Sequence, residues 1–306
     1  MQINNQIVTQ IAQKLGFDLI GFAEVAPLFT EINGLKNWLN NGFNSKMSYM
    51  ERNIEKRFDV KEILPSAKSV ISLALNYYVE DEFSHNPQNG KISRYAWGTD
   101  YHYILWEKLE QLITELKEID NNFEAKSYVD TGPVMDKAWA VRSGIGWQGK
   151  NSNIINSKIG SWFFIANIIT NYEFLISQIV TDHCGNCTAC IDACPTNAIV
   201  QPYVVDANKC ISNLTIENKG EIPIEFKNKF DSWIFGCDIC QDVCPWNQKF
   251  ATETKIEQFQ NGENREVDLK TVSEFTNSQF KNKYGISPIF RAKNKGFKRN
   301  AKFLLE

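Results

Sequence analysis

Residues 184–195 read CGNCTACIDACP, four cysteines separated by two, two and three residues, with a proline behind the last. Residues 237–245 read CDICQDVCP, the same pattern without its first cysteine, and Cys210 stands alone between the two groups. The first run is the ligand spacing of proteins that carry two [4Fe–4S] clusters, in which the fourth cysteine serves the other cluster. Three closely spaced thiolates wrap one cube, and the fourth, beyond a longer spacer, points away from it. Cys210 can supply the ligand missing from the second group, so eight cysteines satisfy two cubes with none left over. The expected partition is Cys184, Cys187, Cys190 and Cys244 for one cluster, and Cys194, Cys210, Cys237 and Cys240 for the other. A disulfide scaffold suits short secreted chains, and this one has 306 residues. Zinc also uses paired cysteines, but two cysteine–proline endings and a ligand count of eight favour clusters.

Over the whole chain the composition is that of an ordinary soluble globular protein, 43% hydrophobic and 23% charged, with enough chain for two domains. Met1 to Leu15 has no basic leader and no uninterrupted apolar stretch, so no signal peptide is expected. The apolar run Trp162 to Ile169 is interrupted by Asn167 and is too short to cross a bilayer. Cytoplasmic residence is the expectation, and it suits reduced thiolates. A net charge of −3 gives no global sign of nucleic-acid binding. From Asn277 onward, however, eight basic residues face one acid, Glu306, with Phe280, Tyr284, Phe290, Phe297 and Phe303 interleaved. Such a segment grips phosphates and stacks bases, or is simply an amphipathic terminal helix.

Helical periodicity covers Ile3 to Leu15 and Leu28 to Asn41, with Gly42 as a stop. Strands are expected at Leu19 to Val25, Ser69 to Tyr78, Glu124 to Val129, Asn153 to Ile155 and Ser161 to Thr170. Tyr101 to Ile119 reads as a long amphipathic helix, and Val134 to Arg142 as a shorter one. The expected organisation is a mixed α+β domain over 1–177, a cluster domain over 178–250, and a linker with a basic C-terminal tail over 251–306. Gly144-Ile145-Gly146-Trp147-Gln148-Gly149-Lys150 satisfies G-x-G-x-x-G, but a helical pattern precedes it and a strand follows, the reverse of a dinucleotide fingerprint. It reads instead as a loop whose glycines admit close approach of a bulky ligand.

With the cysteines placed behind a mixed domain, several other motifs become recognisable. Val129-Asp130-Thr131-Gly132-Pro133-Val134 and the glycine-rich loop through Asn151 resemble the epoxyqueuosine reductase family. So do Arg94-Tyr95-Ala96, Asp100-Tyr101-His102, Gly160-Ser161-Trp162-Phe163-Phe164, Cys210-Ile211-Ser212, Leu214-Thr215-Ile216-Glu217, Phe235-Gly236-Cys237-Asp238-Ile239-Cys240-Gln241 and Cys244-Pro245-Trp246-Asn247. The resemblance runs from about Arg57 to Asn300. It implies a cobalamin-dependent iron–sulfur enzyme that reduces epoxyqueuosine to queuosine at the wobble position of a tRNA anticodon. It also implies a nitroreductase-like cobalamin-binding fold ahead of a ferredoxin-like domain.

Removing an epoxide oxygen as water consumes two electrons and two protons, so a proton donor must sit beside the substrate. By itself Asp130 reads as the N-cap of the helix starting near Pro133; the resemblance makes it the general acid. Cobalamin contacts implied by motif correspondence are Arg57, Trp97, Asp130, Asn151, Ile154, Ser161, Ser212, Cys237 and Asp238. His102 reads as structural packing and His183 as lining the cluster edge. Many members of the family continue past Arg299-Asn300-Ala301 into a helical-repeat domain that helps hold tRNA. This chain reads as a short form, which leaves Lys295, Lys298 and Arg299 as expected tRNA contacts. The expected partners are the modified anticodon stem-loop and an external low-potential electron donor, with the protein a monomer. Two alternatives are another corrinoid iron–sulfur reductase, such as a reductive dehalogenase, and a plain electron carrier of ferredoxin type. The first is disfavoured because no twin-arginine leader precedes the domain and the C-terminus is basic. An Asp130 carboxyl in a deep pocket separates an enzyme from a carrier.

Overall fold

The computed structural model describes residues 3–260 and 264–306. Its main sheet runs Leu19–Glu24, Ser69–Asn76, Phe163–Thr170 and Ala125–Tyr128 in spatial order, each neighbouring pair antiparallel. All eight residues of Ser69–Asn76 are buried, which is why this strand reads as nearly continuous rather than alternating in hydrophobicity. Ile71, Leu73 and Leu75 pack with residues of the helices Asn5–Lys14 and Tyr101–Ile119. Val70 packs on the other side with Ile32 and Leu35 of the helix Phe29–Asn40 and Trp139 of the helix Asp136–Arg142. Helices therefore cover both faces of an antiparallel sheet. Tyr101–Ile119 is a helix because Asp100 caps it, accepting the His102 N–H at 3.0 Å. It also buries one stripe, Ile104, Leu105, Leu109, Leu112 and Leu116.

A second, three-stranded sheet joins distant parts of the chain. Asn89–Ile92 lies between Trp233–Phe235, parallel to it, and Glu266–Asp268, antiparallel to it. The expected boundaries at 177 and 250 therefore do not separate self-contained units, because each of the three expected segments contributes one strand to this sheet. The segment 251–306 is not the linker and tail that its polarity suggested. Val272, Phe280, Tyr284, Phe297 and Ala301 are buried against Ile92, Trp97, Ile234 and Phe235. Of the aromatic residues between the lysines, Phe280 and Tyr284 lie on the helix Asn277–Tyr284 and Phe297 and Phe303 on the helix Lys293–Leu305, as their apolar stripes, while Phe290 lies on the turn between them. The helix Asn277–Tyr284 starts on a capping box formed by Thr276 and Gln279.

Candidate functional site

Eight free thiols lie on short helical turns and loops. Burial pushes the Cys190 thiol up to about 11, with the thiols of Cys184, Cys244 and Cys187 beside it adding to the effect. Burial likewise raises Cys240, which lies beside Cys210, Cys190 and Cys194, and Cys237, which lies beside Cys240 and Cys210. The thiols thus lie within electrostatic reach of one another, Cys190 with Cys184, Cys187 and Cys244, and Cys240 with Cys210 and Cys194, although among the described residues they are not drawn together as a metal-holding cluster; metal binding requires them to lose their protons. The first group lines a cavity of about 350 Å³ together with Ile155, His183, Trp246 and Phe250. Trp147 packs among Cys244, Cys184 and Trp246, and its buried indole N–H faces the Cys184 thiol, which burial raises and this donor helps to lower. A donor directed at a cysteine sulfur fits a thiolate that ligates metal. In the second group the Ala198 N–H already donates to Cys194 Sγ at 3.3 Å. Cys187 is the exposed thiol of the first group, whereas Cys210 and Cys240 are half-buried. The second group is thus the inner one.

Asp130 sits on the loop after the edge strand Ala125–Tyr128, exposed and with φ of +56°. Aspartate tolerates this left-handed backbone better than most residues. The next helix begins at Asp136 with Met135 as N-cap, so Asp130 caps nothing. Its carboxylate accepts the Tyr101 hydroxyl at 3.0 Å. Around it stand Tyr95, Tyr101 and Asp136, each half-buried, and Lys137, which is exposed. Burial pushes Asp136 up to about 7; the Asn167 amide, donating at 2.7 Å, and Arg57 oppose the shift while Asp130 adds to it. Desolvation by the surrounding protein lowers Lys137, whose charge neighbours Asp130 on one side and Cys240 and Cys210 on the other. Its Nζ is held by the Ser152 carbonyl at 2.8 Å and Asn153 Oδ1 at 3.3 Å. Lys137 thus lies within electrostatic reach of both the Asp130 carboxyl and the inner thiols, while Asp130 itself is exposed and lies outside the cavity of the first group.

Arg57 is buried, near Asp136, and donates to the carbonyls of Arg52 and Tyr49. Ser212 and Cys237 are partly exposed, and the Ser212 N–H supports the Cys210 thiol. Asn151, Ile154 and Ser161 are buried. Asn151 donates to the Cys240 carbonyl at 3.0 Å, and Ser161 Oγ accepts from Gln241 and Asn247. They fix their own segments to the cysteine loops and leave mainly backbone to offer. Two expectations are corrected. Trp97 is 1% exposed, packs in the C-terminal core and spends its indole N–H on the Ile92 carbonyl at 2.7 Å, so a cofactor cannot reach its ring. The Asp238 carboxylate is buried and bound by the Ser93 hydroxyl, the Arg94 N–H at 2.8 Å and the Arg94 guanidinium at 3.4 Å, so it organises Arg94 instead.

The glycine-rich loop is corrected as well, because its close approaches are to the chain itself. A Cβ on Gly146 would strike the Ile155 carbonyl, and one on Gly144, at φ of +72°, the Gln178 carbonyl. Trp147–Gln148 pairs with Ile154–Ile155, and Lys150 Nζ holds the carbonyls of Gly185 and Cys187 at 2.6 and 2.9 Å. The loop thereby clamps the first cysteine group. Of the expected tRNA contacts, Lys295 is exposed. Arg299, by contrast, directs its guanidinium onto the carbonyls of Asn218, Gly220 and Leu214, and Lys298 donates to the Phe275 carbonyl. Both are tied into the fold. His102 stacks on Tyr101, and His183 packs beside Trp147 and Trp246 at the first thiol group. Asp136 and Lys137 were not singled out by sequence, and their only signal is proximity to the Asp130 motif; Tyr95 stood in a quoted motif without a role.

A family profile described as "Epoxyqueuosine reductase QueG, DUF1730" matches residues 57–131, and one described as "4Fe-4S double cluster binding domain" matches residues 183–247. The chain is 47% identical over 298 residues to the epoxyqueuosine reductase of Leadbetterella byssophila, covering 96% of each protein. Among solved structures it is similar to an epoxyqueuosine reductase crystallised with an epoxyqueuosine-modified tRNA stem loop, with a TM-score of 0.91 and 35% identity over 98% of this chain and 80% of that one. It is equally similar, at a TM-score of 0.91 and 34% identity over 98% of this chain and 80% of that one, to the Bacillus subtilis enzyme solved with its catalytic aspartate loop swung out of the active site. No helix among the described residues is long and apolar enough to cross a membrane.

Proposed function

This chain belongs to the epoxyqueuosine reductase family, and on that premise we propose that it reduces epoxyqueuosine to queuosine at the wobble position of a tRNA anticodon. One observation carries the reading. Asp130 is an exposed carboxyl, and Lys137 feels both it and the inner thiols Cys240 and Cys210, which supports a proton source and an electron source serving one substrate. The epoxide oxygen leaves as water after two electrons and two protons have been delivered. Asp130 holds a proton against that oxygen, a role worth about 10²–10⁴ in rate.

Cysteines 184, 187, 190 and 244 hold the outer [4Fe–4S] cluster, and 194, 210, 237 and 240 the inner one, in this reading. Electrons from an external low-potential donor enter on the side of exposed Cys187 and leave on the side of Lys137 and Asp130. Cobalamin, when bound there, supplies a low-valent cobalt that gathers single electrons into two-electron chemistry. The helix-covered sheet is its nitroreductase-like domain, with Arg57, Asp130, Ser212 and Cys237 as side-chain contacts. Asn151, Ile154 and Ser161 shape the wall of its site. Lys137 places a fixed positive charge between the inner thiols and Asp130, where negative charge arrives during reduction. The protein acts as a cytoplasmic monomer in this reading.

The test is to load the protein with both clusters and cobalamin, add a low-potential reductant, and digest the treated tRNA. Conversion of epoxyqueuosine to queuosine is expected. Its persistence with fully loaded protein would overturn the assignment.

A further inference from the structure

We propose that Tyr101 is a positioning residue for Asp130: its hydroxyl, on a ring fixed by stacking, holds the carboxyl in place and stabilises the anion left when the proton departs. The inference rests on the reading of Asp130 as the proton donor. That loop has little else to hold its acid in place. Asp130 is exposed, lies in the left-handed backbone region, and belongs to a stretch with neither helix nor strand. Among the described residues, the hydrogen bond to its side chain comes from Tyr101, at 3.0 Å.

Tyr101, in contrast, is held from every direction. It is the first residue of a long helix whose cap is Asp100. Its ring stacks on Phe164 with centroids 4.2 Å apart and planes 10° from parallel, and on its other side His102 lies 4.1 Å away at 27°. His102 is itself pinned by its Nδ1 to Asp100 at 2.7 Å. The hydroxyl therefore points from a ring that cannot swing, and burial keeps it protonated and able to donate. Donors fixed before the reaction act most strongly where charge develops. As Asp130 passes its proton from the other carboxyl oxygen to the epoxide oxygen, its carboxyl becomes an anion, and a neutral hydrogen bond becomes a charge-assisted one. Tyr101 keeps its own proton throughout, so the stoichiometry of two protons and two electrons is unchanged.

Tyr101→Phe keeps the stacked ring and removes the donor. A fall in kcat of about 10- to 100-fold is expected, the weight of a hydrogen bond to a charged group, with KM for the tRNA unchanged. Cluster content and the absorption spectrum of bound cobalamin should match the wild type, and amide exchange over residues 129–134 should quicken. Because Tyr101 acts through Asp130, Tyr101→Phe should slow an Asp130→Asn protein little further. Wild-type kcat in Tyr101→Phe, or a full multiplicative loss in the double variant, would overturn the inference while leaving Asp130 as donor. Full turnover in Asp130→Asn alone would overturn the reading of Asp130, and this inference with it.

Discussion

Two aspartates near the inner thiol group show opposite ways of using a carboxyl. Asp238, between Cys237 and Cys240, is saturated: Ser93, the Arg94 backbone and the Arg94 guanidinium all bind it, and Arg94 is bound in turn by Asp242 at 2.7 Å. Asp130 is exposed and takes its hydrogen bond from a tyrosine hydroxyl. A saturated acid can only hold things in place, whereas one with a free oxygen can exchange a proton. The motif around Asp238 looked as chemical as that around Asp130, and only the hydrogen bonds separate them.

The sharpest test of the contrast is Asp130→Asn. Turnover should fall by about 10²–10⁴, while the urea midpoint stays at that of the wild type; a large loss of stability would make Asp130 a structural residue like Asp238. Asp238→Ala should do the reverse. It leaves the buried Arg94 cation short of its partner, and removing one member of a buried ion pair costs about 3–5 kcal/mol. Urea unfolding and iron content after purification read that loss, and wild-type values for both would erase the distinction.

Asp136 offers a third behaviour, because burial holds its pKa near 7 against an ordinary 3.8. Between those values the folded chain binds the proton and the unfolded chain does not, so stability is lost as pH rises from about 4 to 7. Asp130 beside Asp136 deepens the loss, while Arg57 and the Asn167 amide reduce it. Asp136→Asn should flatten the pH dependence and gain at most about 4 kcal/mol above pH 7. An unchanged slope between pH 4 and 7 would place the titration elsewhere. At the small end, Arg299→Ala should cost about 2 kcal/mol through its lost carbonyl contacts, and Lys295→Ala less than about 0.5 kcal/mol. Neither effect should depend on tRNA. If Arg299→Ala instead reduces the salt dependence of tRNA binding with stability intact, Arg299 faces the nucleic acid.

Local patterns were legible wherever the signal is local. Tyr101–Ile119 is the helix that its periodicity predicts, and Ser69–Asn76 the strand, because stripe and run are properties of the segment itself. Trp97 could not be read this way. Nothing adjacent to it in sequence says that Phe297 and Tyr284 would bury it. The same holds for Phe280 and its neighbours, where lysines on the outer face masked an apolar stripe that needed the second sheet as partner. The glycine-rich loop was legible as a site of close approach, but the approaching atoms belong to residues 155 and 178. At Asp130 the reading that a local motif favoured, a helix cap, fails because the helix starts later.

The second sheet also bears on the order in which the molecule is assembled. Asn89–Ile92 waits for a strand from residues 233–235 and another from residues 266–268 before its edges are filled. Ser93 and Arg94, at its end, are the groups that hold Asp238 between two cysteines. Such long-range pairings close late during synthesis. The arrangement of Ser93 and Arg94 around Asp238, between Cys237 and Cys240, is therefore completed only after residues 266–268 have been synthesised.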